Sequence, residues 1–346
     1  MINETYAEYA WEKTVELLAV DSPTGFTETA AQWTKKAFED LGYGVQRTNK
    51  GGLLVDLGGE DETDGLLLAA HIDTIGGMVA RIKPNGRLEL TNLGGLGLPN
   101  CESENVRVYT RSGKVLEGTL QLCNPSAHVN CDYRTAKRDY DTVEVVLDED
   151  VASDADTRAL DIEVGDIVCF DPRTKRTANG YLKSRFLDDK LLVGITLAFA
   201  KYLKDENIIP KRKLYAHITV YEEVGCGSSS SVPAGVTEGL ALDMGCVGDG
   251  LNGSEKKVSI CVKDHSGPYS YDMVTKLVNA AKASGADYAM DVFPFYGSDM
   301  DTAVRAGFDI RHGLIGPGVY ASHGYERSHM DGVLNTLKVL CGYLSV

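Results

Sequence analysis

The run Gly65-Leu-Leu-Leu-Ala-Ala-His71 constrains this chain more than any other stretch. It has none of the polar alternation of a strand with one wet face, so it predicts a strand covered on both faces. Such a strand needs layers of structure on either side, which points to an α/β domain. The elements around it agree. Residues 5–43 show amphipathic spacing broken at Asp21-Ser-Pro-Thr-Gly25. The second helix is expected to start near Thr27 or Glu28, with Trp33, Ala37, Phe38 and Leu41 on one face. Leu53–Leu57 reads as a further strand.

After about residue 77 the texture changes. Short alternating runs with glycine-rich breaks follow, among them Val79–Ile82, Asn105–Tyr109, Gly118–Leu122, Val143–Leu147 and Asp166–Phe170. Period-two alternation of this kind predicts a small β domain. Helical spacing returns at Asp189–Leu203. Strands at His217–Tyr221, Gly239–Asp243 and Val258–Val262 and helices at Tyr271–Ala283 and Leu334–Leu344 follow. The expected organisation is an α/β domain formed by residues 1–77 and 178–346, interrupted by a β insert over 78–177. A length of 346 residues suits two domains.

Asp and Glu total 50 against 35 Lys and Arg, a formal net charge of -15. That balance argues against nucleic acid, whose phosphates call for basic surfaces, and against a polybasic membrane anchor. No run approaches the ~20 apolar residues a bilayer crossing needs. The opening residues lack the basic and apolar blocks of a secretion signal, so the expected location is the cytoplasm. The eight cysteines form no C-x-x-C pair and are expected to be reduced packing thiols.

Residues able to ligate metal recur where apolar strands end, the place where ligand sites gather in α/β sheets. His71-Ile-Asp73 closes one strand; a carboxylate at Asp73 suits the other nitrogen of a ligating imidazole. Asp188-Asp189 opens a helix, where one acid serves equally as a cap. Glu222-Glu223 ends a strand ahead of Gly225. Adjacent buried-strand acids repel and call for a cation or a raised pKa. In an extended strand the two would point opposite ways and take distinct tasks. Asp243 ends another strand, and His323 lies in a loop before the last helix. Two histidines with several hard oxygen donors suit zinc, cobalt or manganese. With a shared carboxylate they are the inventory for a pair of ions.

In this order the residues resemble the dinuclear-metal aminopeptidases of the tetrahedral (TET) type, a family that includes glutamyl and deblocking aminopeptidases and chains labelled endoglucanase. The resemblance runs over nearly the whole chain. It is carried by Ser22-Pro-Thr-Gly25, His71-Ile-Asp-Thr-Ile-Gly-Gly-Met-Val, Gly94-Gly95, Pro125-Ser-Ala-His128, Val164–Asp171 and, most specifically, Tyr221-Glu-Glu-Val-Gly225. It implies a phosphorylase/hydrolase-like three-layer α/β/α domain with a PDZ-like β insert that helps twelve copies assemble. It implies that His71, Asp188 and Asp243 hold one divalent ion, and Asp188, Glu223 and His323 a second, zinc first among the metals. Glu222 would be the general base and Asp73 the partner of His71.

The chain departs from the family pattern at Thr74, Lys190, Leu192, Tyr296-Gly-Ser-Asp299-Met-Asp301 and Ser322-His-Gly-Tyr-Glu-Arg-Ser-His329. The last departure makes His329 a rival of His323. Asp299 and Asp301 are open between substrate contact and capping the helix near Thr302–Ala306. His128, His217, His265 and His312 are expected to be satisfied structural residues.

The expected activity is hydrolysis of the N-terminal peptide bond of peptides by a homo-oligomer, without nucleic acid or membrane partners. The alternatives are an amidase or deacylase acting on a small blocked peptide-like metabolite at the same site, and a non-catalytic acidic binding protein. A glycosidase fits poorly, since the strand-end acids are already committed to ions.

Overall fold

The computed structural model describes residues 2–346. By contact the chain divides into two units, one formed by residues up to Asp73 together with Arg173–Val346, the other by Thr74–Pro172.

In the first unit the apolar run is the heart of the sheet. Strand Asp61–His71 is buried at every position from Gly65 to His71. It pairs in parallel with Arg212–Thr219 on one side and Val236–Leu242 on the other. The sheet continues through Arg311–Tyr320, parallel to Val236–Leu242, and Leu53–Gly58 lies antiparallel on the far side of Arg212–Thr219. Val258–Lys263 pairs antiparallel with Arg311–Tyr320 and carries Tyr288–Val292 at its other edge. Helices Glu4–Leu18, Leu187–Asp205, Tyr271–Ser284 and Met330–Leu344 supply buried faces to this unit. Leu187–Asp205 is buried along nearly its whole length and packs on Asp61–His71.

The helix Glu28–Asp40 starts where its spacing predicts, but it buries a different stripe. Ala30, Ala31, Thr34 and Phe38 are covered, while Trp33, Ala37 and Leu41 are half-buried. Small residues allow close approach of the helix, and the Thr34 hydroxyl is satisfied by the Ala30 carbonyl at 2.8 Å. Polarity alone therefore misplaced the face by part of a turn.

The second unit is a closed barrel of six strands, ordered Gly76–Ile82, Leu88–Leu93, Val143–Leu147, Val115–Leu122, Asn105–Tyr109, Ile167–Phe170. Alternate residues such as Val79, Leu88, Leu90, Val106, Val108, Leu120, Val145 and Val168 fill it, as the period-two pattern requires. Closure removes free strand edges. All eight cysteines are free thiols, and Cys101, Cys169, Cys261 and Cys341 are buried. Among the described residues no helix is long and apolar enough to cross a membrane.

Candidate metal centre

Three parallel strands end side by side. Thr219 pairs with His71, and Ala241 pairs with Ala69, so that Asp243, two residues on, comes level with His71. Strand register alone thus gathers His71, the segment after Thr219 and Asp243 at one edge. The close approach of the neighbouring strand also needs a glycine: a Cβ at Gly316 would run into the main-chain carbonyl of Asp243.

Asp188 arrives from a fourth element. The chain enters helix Leu187–Asp205 through Phe186 in the left-handed region (φ 69°), and Asp188 and Asp189 depart from helical angles. No side chain caps this helix, so the capping role open to either acid is filled by neither. Asp188 Oδ1 lies 3.2 Å from His71 Nε2, and its Oδ2 lies 3.5 Å from His323 Nε2. Asp189 instead accepts the His71 main-chain N–H at 3.0 Å.

Glu222 and Glu223 do not continue the strand. They occupy a single 3-10 turn, Glu222–Val224, between Tyr221 and Gly225, both left-handed. The expectation of opposite-facing side chains fails because Asp73 intervenes. Its buried carboxylate accepts the N–H groups of Glu222 (3.1 Å) and Glu223 (3.3 Å), together with the Thr24 hydroxyl at 2.7 Å. Bent this way, both acids face the same cavity. Glu223 Oε2 is 3.5 Å from His323 Nε2, and Glu222 Oε2 is 3.7 Å from His71 Nε2. Asp73 reaches the His71 ring through its main chain: Nδ1 lies 2.8 Å from the Asp73 carbonyl oxygen and 3.6 Å from its carboxylate. The carboxylate is occupied by the glutamate turn instead.

His323 and His329 have separate surroundings. His323 approaches Asp188 and Glu223, whereas His329 caps the last helix, its Nδ1 accepting Asp331 N–H at 3.0 Å. Asp301 forms a capping box with Ser298 at the helix Asp299–Arg305. Asp299 ties Ser228 N–H (2.6 Å) and the Thr219 hydroxyl (2.5 Å), behind the glutamate turn. His217 is buried, 3.3 Å from the Ser228 hydroxyl. His312 is half-buried, 3.5 Å from Asp301, and His128 and His265 are exposed.

Two ligand groups result, His71–Asp188–Asp243 and Asp188–Glu223–His323, each with donor atoms within 4.8 Å of one another. They share Asp188. Among the described residues, no Lys or Arg comes within salt-bridging distance of Asp188, Glu222, Glu223 or Asp243. Burial pushes Asp243 up to about 7, helped by Asp188. Burial and then Asp188 push Glu223 up to about 8. Glu222 is raised by burial, with Asp243 and Asp299 adding to it. Asp188 moves the other way: burial opposes its charge, yet His323 and His71 hold it below the usual carboxylate range. His323 is raised to about 10, chiefly by Asp188. The carboxylate excess is what a divalent ion offsets, and imidazole with carboxylate oxygen is a donor set that fits one. A cavity of about 440 Å³ opens on Asp188, Glu222, Glu223, Asp243 and His323, with Tyr296 and Phe295 on its wall.

An α/β sheet whose strand ends converge on a buried cluster of carboxylates and histidines beside a cavity defines a metallohydrolase. The chain belongs to the M42 glutamyl aminopeptidase family, whose model matches residues 51–339. It is accordingly a metal-dependent aminopeptidase, a hydrolase of peptide bonds. It is 41% identical over 329 residues to the putative aminopeptidase YhfE of Bacillus subtilis (strain 168), covering 95% of each chain. Its fold matches that of a TET aminopeptidase from a marine-sediment thaumarchaeote, with TM-score 0.86 at 18% identity over 97% of this chain and 96% of that one. The TET1 peptidase of Pyrococcus horikoshii matches with TM-score 0.84 at 22% identity over 97% and 99%.

Glu326 escaped the sequence reading. It lies in the loop singled out for its histidines, but an acid at the start of a four-residue strand carries no signal of its own. Only its near-complete burial (2% exposed) distinguishes it.

Proposed function

We propose that the chain removes the N-terminal residue from peptides by a water attack organised around two divalent ions. His71, Asp188 and Asp243 would hold one ion, and Asp188, Glu223 and His323 the other; the nitrogen and oxygen donors favour zinc, with cobalt or manganese as substitutes. When bound, the ions supply Lewis-acid polarisation and a water acidic enough to react near neutral pH.

The remaining chemistry belongs to the side chains. Glu222 stands outside both ligand groups, with its carboxylate on the cavity. It accepts the proton of the attacking water at a carboxylate oxygen and returns it to the leaving amine. Asp73 holds the turn that aims Glu222 and Glu223, and its carbonyl keeps the His71 ring oriented with Nε2 toward Asp188. The lone Asp188 reaching both histidines is the observation that carries this reading.

The three-layer phosphorylase/hydrolase-like description and the PDZ-like character of the barrel are part of the same proposal. So is a homo-oligomer, supported by the relative from Pyrococcus horikoshii, which assembles into a tetrahedron or a large octahedral shell.

Glu222→Gln tests the assignment. The variant is expected to retain its metal, by elemental analysis, while turnover of an aminoacyl anilide falls about 10²–10⁴-fold. Near-normal hydrolysis by metal-loaded Glu222→Gln would overturn it.

A further inference from the structure

Glu326 begins the strand Glu326–His329, which pairs antiparallel with Tyr181–Ser184 so that Glu326 faces Ser184. This register sets its side chain beside the chain as it turns into Asp188. One carboxylate oxygen accepts the N–H of His323 at 3.0 Å, and the other accepts the N–H of Asp188 at 3.1 Å. A buried carboxylate needs hydrogen bonds or a counter-charge. Among the described residues no Lys or Arg forms an ion pair with this one, so both of its strong contacts go to main chain.

The recipients are 135 positions apart in sequence (323 minus 188), and each carries one of the ligands of the same proposed ion. Their backbones are held in unfavourable shapes. His323 is itself left-handed (φ 60°), as are Ala321 (φ 60°) and Phe186 (φ 69°). For a residue with a Cβ that conformation is strained by contact with the following carbonyl. It persists only where the surroundings impose it. Asp73 provides the parallel: its carboxylate takes the two N–H groups that follow left-handed Tyr221. Two buried acids thus act on main chain, one beneath the glutamate turn and one between the other two ligand segments.

We propose that Glu326 is a positioning residue for the ion held by Asp188, Glu223 and His323: its carboxylate cross-links the main chain at Asp188 and His323 and sets the spacing of their side chains. This rests on the two-ion reading above. A purely structural role would instead show as lost stability without change in metal affinity.

The experiment is equilibrium dialysis of the full chain against Zn²⁺, together with thermal unfolding in excess chelator. Glu326→Gln keeps one acceptor but turns an amide N–H₂ toward the second N–H. The wild type is expected to bind two ions. In the variant one of the two binding steps weakens about 10–100-fold, the range seen when a ligand's outer partner is removed. Unchanged affinity at both steps, with or without a lowered melting temperature in chelator, overturns the proposal. A wild type that binds fewer than two ions overturns the two-ion reading beneath it, a result separable from failure of the variant alone. Should Glu326→Gln not fold, Glu326→Asp, which draws the carboxylate back by one methylene, is held to the same two outcomes.

Discussion

One strand, Val236–Leu242, carries a buried acid near its start and leads into another just past its end, and the two are treated in opposite ways. Glu238 is 1% exposed and saturated with cations and donors. Arg212 pairs with it closely, Arg311 lies at 3.0 Å, Lys276 at 3.2 Å, and the Tyr343 hydroxyl donates at 2.6 Å. Burial opposes its charge, but the bonds from Tyr343, Arg212 and Arg311 prevail and hold its pKa down to about 2. Asp243 is also buried, and burial together with the Asp188 charge raises its pKa despite the nearby His71. At one end of the strand the protein neutralises its own charge; at the other it gathers carboxylates into the cluster proposed above for a cation. The first arrangement supports the fold, and the second opposes it through burial and like charge.

This contrast breaks most decisively at Glu238. Glu238→Gln removes a buried, depressed carboxylate while Arg212, 21% exposed, keeps Asp64 at 3.0 Å, and chemical denaturation should register a loss of about 3 kcal/mol near pH 7. The effect has a definite pH dependence. A carboxylate whose folded pKa is depressed contributes stability above its unfolded pKa, roughly 4.3. That contribution drains away as pH falls toward the folded value of about 2. The gap between wild type and variant should therefore narrow across that interval; a gap constant from pH 6 to pH 2.5 would contradict the ion-pair account.

At the other end the sign reverses. Asp243→Asn removes one charge from the crowded cluster, so in chelator the variant should be more stable than wild type by about 1 kcal/mol near pH 7. The same variant should lose metal. The linkage also runs the other way. For an acid whose folded pKa is raised, stability falls as pH climbs from the unfolded value, roughly 3.9, through the folded one of about 7. The advantage of the variant should therefore shrink steadily as pH falls from about 7 and be gone near pH 4. Destabilisation by Asp243→Asn in chelator would show that the cluster is compensated internally after all.

The smallest effect belongs to Lys276, whose side chain is 57% exposed beside Glu238. Solvent screens such a pair, and Lys276→Ala should cost no more than about 0.5 kcal/mol. A loss matching that of Glu238→Gln would mean that the exposed cation, rather than Arg212, carries the knot.

Much of the site was legible because strand ends have local signatures. An apolar run terminating in His71, another in Asp243, and paired acids before Gly225 are visible without any knowledge of neighbours. What escaped was main-chain geometry. The Glu222–Glu223 pair looked like strand, and it became a turn because a carboxylate distant in sequence took its N–H groups. Asp188 looked as much like a helix cap as a ligand, and only the folded backbone, which departs from helical angles there, shows that it caps nothing. His323 and His329 stand six positions apart, and spacing to the last helix favoured His323 without deciding between them. In the fold His329 caps the last helix, which leaves His323 as the ligand we propose.

The sequence by itself determined the periodicities, and with them a strand buried on both faces and a run of short alternating strands, because hydrophobic spacing is a local property of the chain; that the alternating strands close into a barrel is the fold's own. It also determined that acids and histidines stand at strand ends. Only the tertiary structure decided which of these acids are neutralised and which are left to a cation. That outcome depends on register, burial and the company of residues far along the chain, from Arg212 to Tyr343 around Glu238, and electrostatic energy is set by distance in space rather than along the chain.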